Sequence, residues 1–189
     1  MRPWIVFFSQ TGTEINNLCK RLEIYPDAII TNKQTTEGIN MELINTTTFR
    51  EYKLNRTIWY MLQQKPDLES YKNILSHFNN PVITLHGYLR VIPKEICEKY
   101  EIYNLHPGLI DKFPSLKGFN PQERAFREGY KHAGCVVHRV TSGVDEGEIL
   151  LSQGISIEGK SLDEVYSSLS NVALDLWKSF FTEFKVLKK

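Results

Sequence analysis

Residues Trp4 to Phe8 read Trp-Ile-Val-Phe-Phe, five apolar residues in a row, each aromatic or β-branched. A strand with no polar side must be buried on both faces, as an interior strand is in a parallel sheet covered by helices. Ser9-Gln10-Thr11-Gly12 then makes a polar turn. Ile15, Leu18 and Leu22 follow at helical spacing, with Thr13 placed as the N-cap. The alternation continues with a strand over Ala28 to Thr31, a loop around Thr35 to Gly38 and a strand over Thr57 to Tyr60. Next come a helix from Leu68 to Phe78, a strand over Val82 to Leu85, a helix from Pro93 to Lys99 and a strand over Ile102 to Leu105. Pro93 suits a first helical turn, where its missing N–H costs nothing. This pattern predicts an α/β chain with a Rossmann-like, open, mostly parallel sheet flanked by helices.

The second half reads differently. Gly134 to Val140 and Ile149 to Ile157 are β segments around the turn Thr141 to Gly147. A helix from Ser161 to Phe184 then carries Leu162, Val165, Leu169, Leu176, Phe180 and Phe184 near helical spacing, a docking face without the regularity of a coiled coil. No repeat, low-complexity tract or linker divides the chain, so residues 1–189 are read as a single domain. A chain of this length buries roughly 70% of its unfolded surface, which is enough for a core without staples. The formal net charge of +1 argues against a nucleic-acid polymer as partner. Cys19, Cys97 and Cys135 are odd in number and far apart, which implies no disulfide framework. Cys135 and His138 have a spacing that metal sites use, but a second pair is missing and no metal is expected. The apolar run after Arg2 is too short for a signal peptide, and no stretch reaches the roughly 18 apolar residues of a membrane span. A cytoplasmic protein with no membrane partner is expected.

In open α/β sheets, ligands bind beyond the carboxyl ends of the strands. Ser9 to Glu14, His86 to Ile92 and Asn104 to Gly108 therefore line one rim. Within the last of these, Asn104 and His106 are two apart on a strand and project to one face, while Leu105 turns to the other. Pro107 takes the chain out of the sheet and exposes the pair. An amide and an imidazole side by side suit negative charge developing on a carbonyl oxygen, although the same pair can simply hydrogen-bond a loop. Asp145 stands in a glycine-flanked turn, where a carboxylate is able to fix a histidine tautomer and stabilise its charge. Spacing alone leaves open whether it reaches His106.

With these residues in view, the chain resembles the folate-dependent formyltransferases, most strongly over Pro81 to Gln153. The likeness runs through His86-Gly87-Tyr88-Leu89-Arg90-Val91-Ile92-Pro93, Asn104-Leu105-His106-Pro107-Gly108, Lys117-Gly118, Cys135-Val136-Val137-His138 and Val144-Asp145-Glu146-Gly147. It implies the formyltransferase fold, with 10-formyltetrahydrofolate as formyl-donor co-substrate, a small primary amine as acceptor and no metal. It also implies that Asn104, His106 and Asp145 are catalytic. Leu89, Arg90, Val91 and Ile92, with Val140, Thr141 and Val144, are implied to hold the folate. Gly12, Thr13, Glu14, Pro107 and Gly108 are implied to meet the acceptor, and a monomer or homodimer is expected.

Three features depart from the members it matches in length, which formylate glycinamide ribonucleotide. Glu14 puts a carboxylate where their loop offers an amide to a phosphate. Ser167, Ser168, Ser170 and Asn171 stand in the region of a Glu-His pair on the last helix, and the loop from Pro107 to Gly118 is longer. Gly108 and the run Lys117 to Gln122 look like the sugar-nucleotide N-formyltransferases, so an amino-sugar nucleotide or a modified nucleotide amine is the alternative acceptor. Methionyl-tRNA formyltransferase and formyltetrahydrofolate hydrolase are disfavoured for want of their extra domains. The rival of another class is an inactive Rossmann-like binding module. Among other residues, His86 is read as structural and His138 matches a histidine of the family's β segment. His77 and His132 are placed in solvent, Trp59, Trp177 and Phe180-Phe181 in the core, and Lys185, Lys188 and Lys189 on a solvated tail.

Overall fold

In the computed structural model, which describes residues 2–48 and 57–183, β1 (Trp4–Phe8) is buried at all five positions. It is followed by α1 (Thr13–Leu22), β2 (Ala28–Thr31), α2 (Met41–Thr48), β3 (Ile58–Met61), α3 (Leu68–Leu75), β4 (Val82–Leu85) and α4 (Lys94–Lys99). β5 (Glu101–His106) leads to a 3-10 turn at Pro114–Leu116, α5 (Pro121–Arg127), β6 (His132–Arg139), β7 (Ile149–Ser156) and α6 (Leu162–Glu183). The strands form a seven-stranded sheet in the order β3-β2-β1-β4-β5-β6-β7. Among the described helices none is long and apolar enough to cross a membrane. Phe184 and the lysine tail lie outside the described residues.

Packing divides the described chain into two compact units, one up to Ile102 and one from Tyr103. The first is the parallel half. β1 pairs with β2 (Val6 opposite Ile29) and with β4 (Ile5 opposite Ile83), and β2 pairs with β3. Ile15 and Leu18 of α1, Leu43 of α2, and Tyr71 and Leu75 of α3 are buried there with the strand residues. Thr13 is not the N-cap of α1. Gly12 takes that place in the left-handed region (φ 72°), because the Thr13 hydroxyl is engaged by Thr11 at 2.9 Å. The second unit is antiparallel, with β5 on β6 and β6 on β7. α6 packs on β6 and β7 and buries Val165, Leu169, Leu176, Trp177, Phe180 and Phe181. Its start is a capping box in which Ser161 and Glu164 exchange backbone bonds, the Ser161 N–H reaching Glu164 Oε2 at 2.7 Å.

Candidate active site

β5 carries Asn104 and His106 on one face, as the two-residue period requires, and the strand runs through His106 before Pro107 ends it. Antiparallel register sets Asn104 directly opposite His138 on β6, so their side chains share that face. A bulge between Val137 and His138 interrupts the β6–β7 ladder at this point. The turn after β6 brings up Asp145, held at φ 52°, a left-handed conformation unusual for a side chain other than glycine. Gly147 is obligatory there, since a Cβ would lie 1.8 Å from the Arg139 carbonyl oxygen.

These elements close a four-residue cluster within the second unit. Asp145 Oδ2 lies 3.2 Å from His106 Nδ1 and accepts the Gly118 N–H at 2.9 Å, while Oδ1 lies 3.4 Å from His138 Nε2. The Asn104 amide nitrogen is 3.2 Å from His138 Nε2, and His138 Nδ1 donates to its neighbour's carbonyl, Arg139 O, at 2.9 Å. That carbonyl holds a proton on Nδ1, while Nε2 stands between the Asn104 amide, which donates, and Asp145 Oδ1, which accepts, so at most one amide hydrogen of Asn104 is used here. His106 and His138 are 5% and 2% exposed. Burial pushes the His106 pKa below its ordinary value and outweighs the Asp145 charge and the Leu116 carbonyl, which favour the imidazolium. Burial pushes Asp145 the opposite way, but the His138 bond, the His106 charge and the Gly118 N–H together hold it below the usual carboxylate range.

The structure thus brings Asn104, His106 and Asp145 into one cluster and adds His138. It differs from the sequence expectation in burial: His106 is enclosed rather than exposed after Pro107, and both ring nitrogens are engaged. His106 Nε2, the nitrogen left over once Nδ1 faces Asp145, donates to the Leu116 carbonyl at 2.8 Å. The long loop after Pro107 supplies that carbonyl. Gly108 is buried beneath the ring, where a Cβ would stand 2.9 Å from His106 Nε2. Its place in this geometry is to leave room for the imidazole. Pro107 is half-buried beside it, Val140 is half-buried, Thr141 is exposed, and Val144 is 56% exposed.

In the first unit Leu89 and Arg90 line a cavity of about 330 Å³ with Ser9, Asn32, Lys33 and Gln64. The Arg90 guanidinium is anchored on the carbonyls of Gln64 and Leu89, each at 2.8 Å. Val91 is 68% exposed and Ile92 is buried at 3%. Asn32 went unnoticed in the sequence; its Oδ1 is buried without a hydrogen-bond partner, a property no local pattern reveals. Glu14 does not simply face solvent. Its Oε1 lies 2.6 Å from His86 Nδ1, 72 residues away, and sequence reasoning missed this pair. Gly12 sits under Leu43 and Thr13 is exposed. Among the described residues no group of three His, Cys, Asp or Glu is arranged to hold a metal ion.

Comparison with known proteins gives a match to the family described as formyl transferase over residues 4–176. A phosphoribosylglycinamide formyltransferase from Dictyostelium discoideum is 27% identical over 80% of this chain and 82% of its own. A methionyl-tRNA formyltransferase from Caldicellulosiruptor saccharolyticus is 34% identical over 48% of this chain and 29% of its own. The chain spans only 8 to 29% of the length of the first curated relatives it matches. The solved phosphoribosylglycinamide formyltransferase of Streptococcus pneumoniae TIGR4 superposes with a TM-score of 0.79 over 98% of this chain and 99% of that one; at 17% identity this likeness shows the fold.

Proposed function

Because the chain belongs to the formyl transferase family, we propose that it transfers the formyl group of 10-formyltetrahydrofolate to the primary amine of a small acceptor. The observation that carries this reading is the linked cluster of Asn104, His138, Asp145 and His106. The neutral amine attacks the formyl carbon, a carbon–nitrogen bond forms and the carbonyl oxygen becomes an oxyanion. The spare hydrogen of the Asn104 amide stabilises that oxygen, and His106 joins it by giving up the Leu116 carbonyl. As the oxyanion forms, the proton released by the attacking amine passes through water and Asp145 to His106 Nδ1, making the ring an imidazolium that Asp145 and the oxyanion together favour against burial. Collapse breaks the bond to the folate nitrogen, which receives that proton in turn through Asp145 and water.

The folate role of Leu89, Arg90, Val91, Ile92, Val140, Thr141 and Val144 belongs to the same proposal. Leu89, Val91 and Val144 each expose more than half of an apolar side chain, as groups that meet a ring do. Residues 1–189 are taken to act as one catalytic domain in the cytoplasm. Glycinamide ribonucleotide, the substrate the Dictyostelium relative is named for, is the reference compound against which other amines are compared. An amino-sugar nucleotide is the second, favoured by Gly108 and the run Lys117 to Gln122. Incubating the protein with 10-formyltetrahydrofolate and a panel of such amines, with products read by mass spectrometry, is expected to give an N-formyl product. Folate binding without transfer to any amine would instead support the inactive binding module.

A further inference from the structure

At the carboxyl ends of β1 and β4 the sheet changes direction, since β1 continues through α1 to β2 on one side while its other neighbour, β4, is reached only after β3. Open α/β sheets receive ligands in this crevice, and a phosphate commonly sits there on N–H groups at the start of the helix. Here the crevice is bridged by charge. Glu14, in the first turn of α1, meets His86, the residue directly after β4, at 2.6 Å. The His86 side chain is fully enclosed, and its Nε2 lies 2.8 Å from Thr84 Oγ1, which accepts from Trp4 Nε1 at 2.9 Å. A carboxylate only accepts, so His86 Nδ1 carries the proton. The Thr84 hydroxyl suits either state of the ring, donating to a bare Nε2 or accepting from a protonated one. The Glu14 carboxylate, 34% exposed, is therefore fixed in place by a buried chain from Trp4 through Thr84 and His86.

Three neighbouring backbone donors are engaged as well. The Thr13 N–H goes to Thr11 Oγ1 at 3.2 Å, the Ser9 N–H to the Gly87 carbonyl at 3.2 Å and the Leu89 N–H to Ser9 Oγ at 2.9 Å. We propose that Glu14, anchored by His86, is a specificity-determining residue that seats a hydroxyl or ammonium group of the acceptor at this crevice and rejects a phosphate monoester. An anchored carboxylate cannot swing aside, so a phosphate dianion meets like charge in a partly desolvated site. A hydroxyl or ammonium group meets an oriented, charged acceptor instead. The catalytic consequence rests on the formyl-transfer reading; the binding preference does not.

Ribose 5-phosphate and ribose serve as probes, followed by NMR shifts of the Gly12 and Thr13 amides and the His86 ring. The wild-type protein is expected to show no saturable response to ribose 5-phosphate at this turn. Glu14→Gln, or Glu14→Asn should the first variant fail to fold, is expected to bind it at least about tenfold more tightly, the scale of removing one like charge at short range. In formyl transfer, the kcat/KM ratio of glycinamide ribonucleotide to its unphosphorylated riboside should lie below one in the wild type and rise at least about tenfold in the variant. A wild-type protein that saturates with ribose 5-phosphate at this turn, with no gain in the variant, overturns the proposal even if formyl transfer occurs. The binding contrast without transfer to any amine supports this proposal and removes the catalytic reading.

Discussion

Asn104 and His106 were legible as a pair because a strand puts alternate residues on one face, and Pro107 marked where that face opens. His138 follows from the same rule once the β5–β6 register is known, but register is a tertiary fact and the Asn104–His138 pairing is not written in either segment. The Glu14–His86 contact is further removed still, since it joins the ends of two different strands. Burial around the cluster has a consequence for pH. His106 and Asp145 are both held below their ordinary values of 6.5 and 3.8. The folded state then binds fewer protons than the unfolded chain in acid, so stability rises with pH. Their contribution is fully present above 6.5 and is lost as pH falls, first through His106 and then through Asp145. Urea denaturation of the wild type between about pH 7 and pH 3 should show this loss, and Asp145→Asn should flatten its lower part. An equally steep lower part in the variant would remove Asp145 from the explanation.

At the scale of elements, the strands were placed to within a residue or two because continuous apolar runs fix them, as at β1 and β4. α2 was not anticipated. Its threonines at 46 to 48 have poor helix propensity, yet each hydroxyl bonds back to the carbonyl four residues earlier, as Thr47 does to Leu43 at 2.6 Å. Asn40 caps the helix by accepting the Glu42 N–H at 2.9 Å. The cap of α1 was misassigned for a related reason, since a side-chain contact between Thr11 and Thr13 replaces the expected one and leaves Gly12 to turn the chain. Gly12→Ala places a Cβ 2.6 Å from Leu43 Cδ2 at a positive φ. It should lower stability by about 1–3 kcal/mol, read as a fall in the denaturation midpoint with little change in slope. A midpoint equal to that of the wild type would show that the turn relaxes without cost.

At the scale of the molecule, hydrophobic patterning predicted the parallel first half and the β segments that precede a long helix, and the family match agrees with that fold. α5 and the 3-10 turn were missed because they are short and proline-led, with too few residues to show a period. The second unit's core is concentrated on α6, where Trp177 and Phe180 are fully buried and their rings lie 5.6 Å apart. Trp177→Ala should therefore cost about 3–5 kcal/mol in chemical denaturation, and a loss below about 1 kcal/mol would contradict this packing. A net charge of +1 fits a small-molecule acceptor, and it conceals the one carboxylate, Glu14, proposed to choose among acceptors.

Formyl transfer is proposed to run through the cluster on β5, β6 and the turn at Asp145. Single-turnover transfer of an isotope-labelled formyl group from 10-formyltetrahydrofolate to an accepted amine tests it directly in the wild type, Asn104→Ala and Asp145→Asn. Label is expected in the amide product with the wild type. Each variant should bind folate as the wild type does and transfer more slowly by on the order of 10²–10³-fold, the usual loss when one oxyanion donor or its support is removed. Transfer at the wild-type rate in both variants would contradict it.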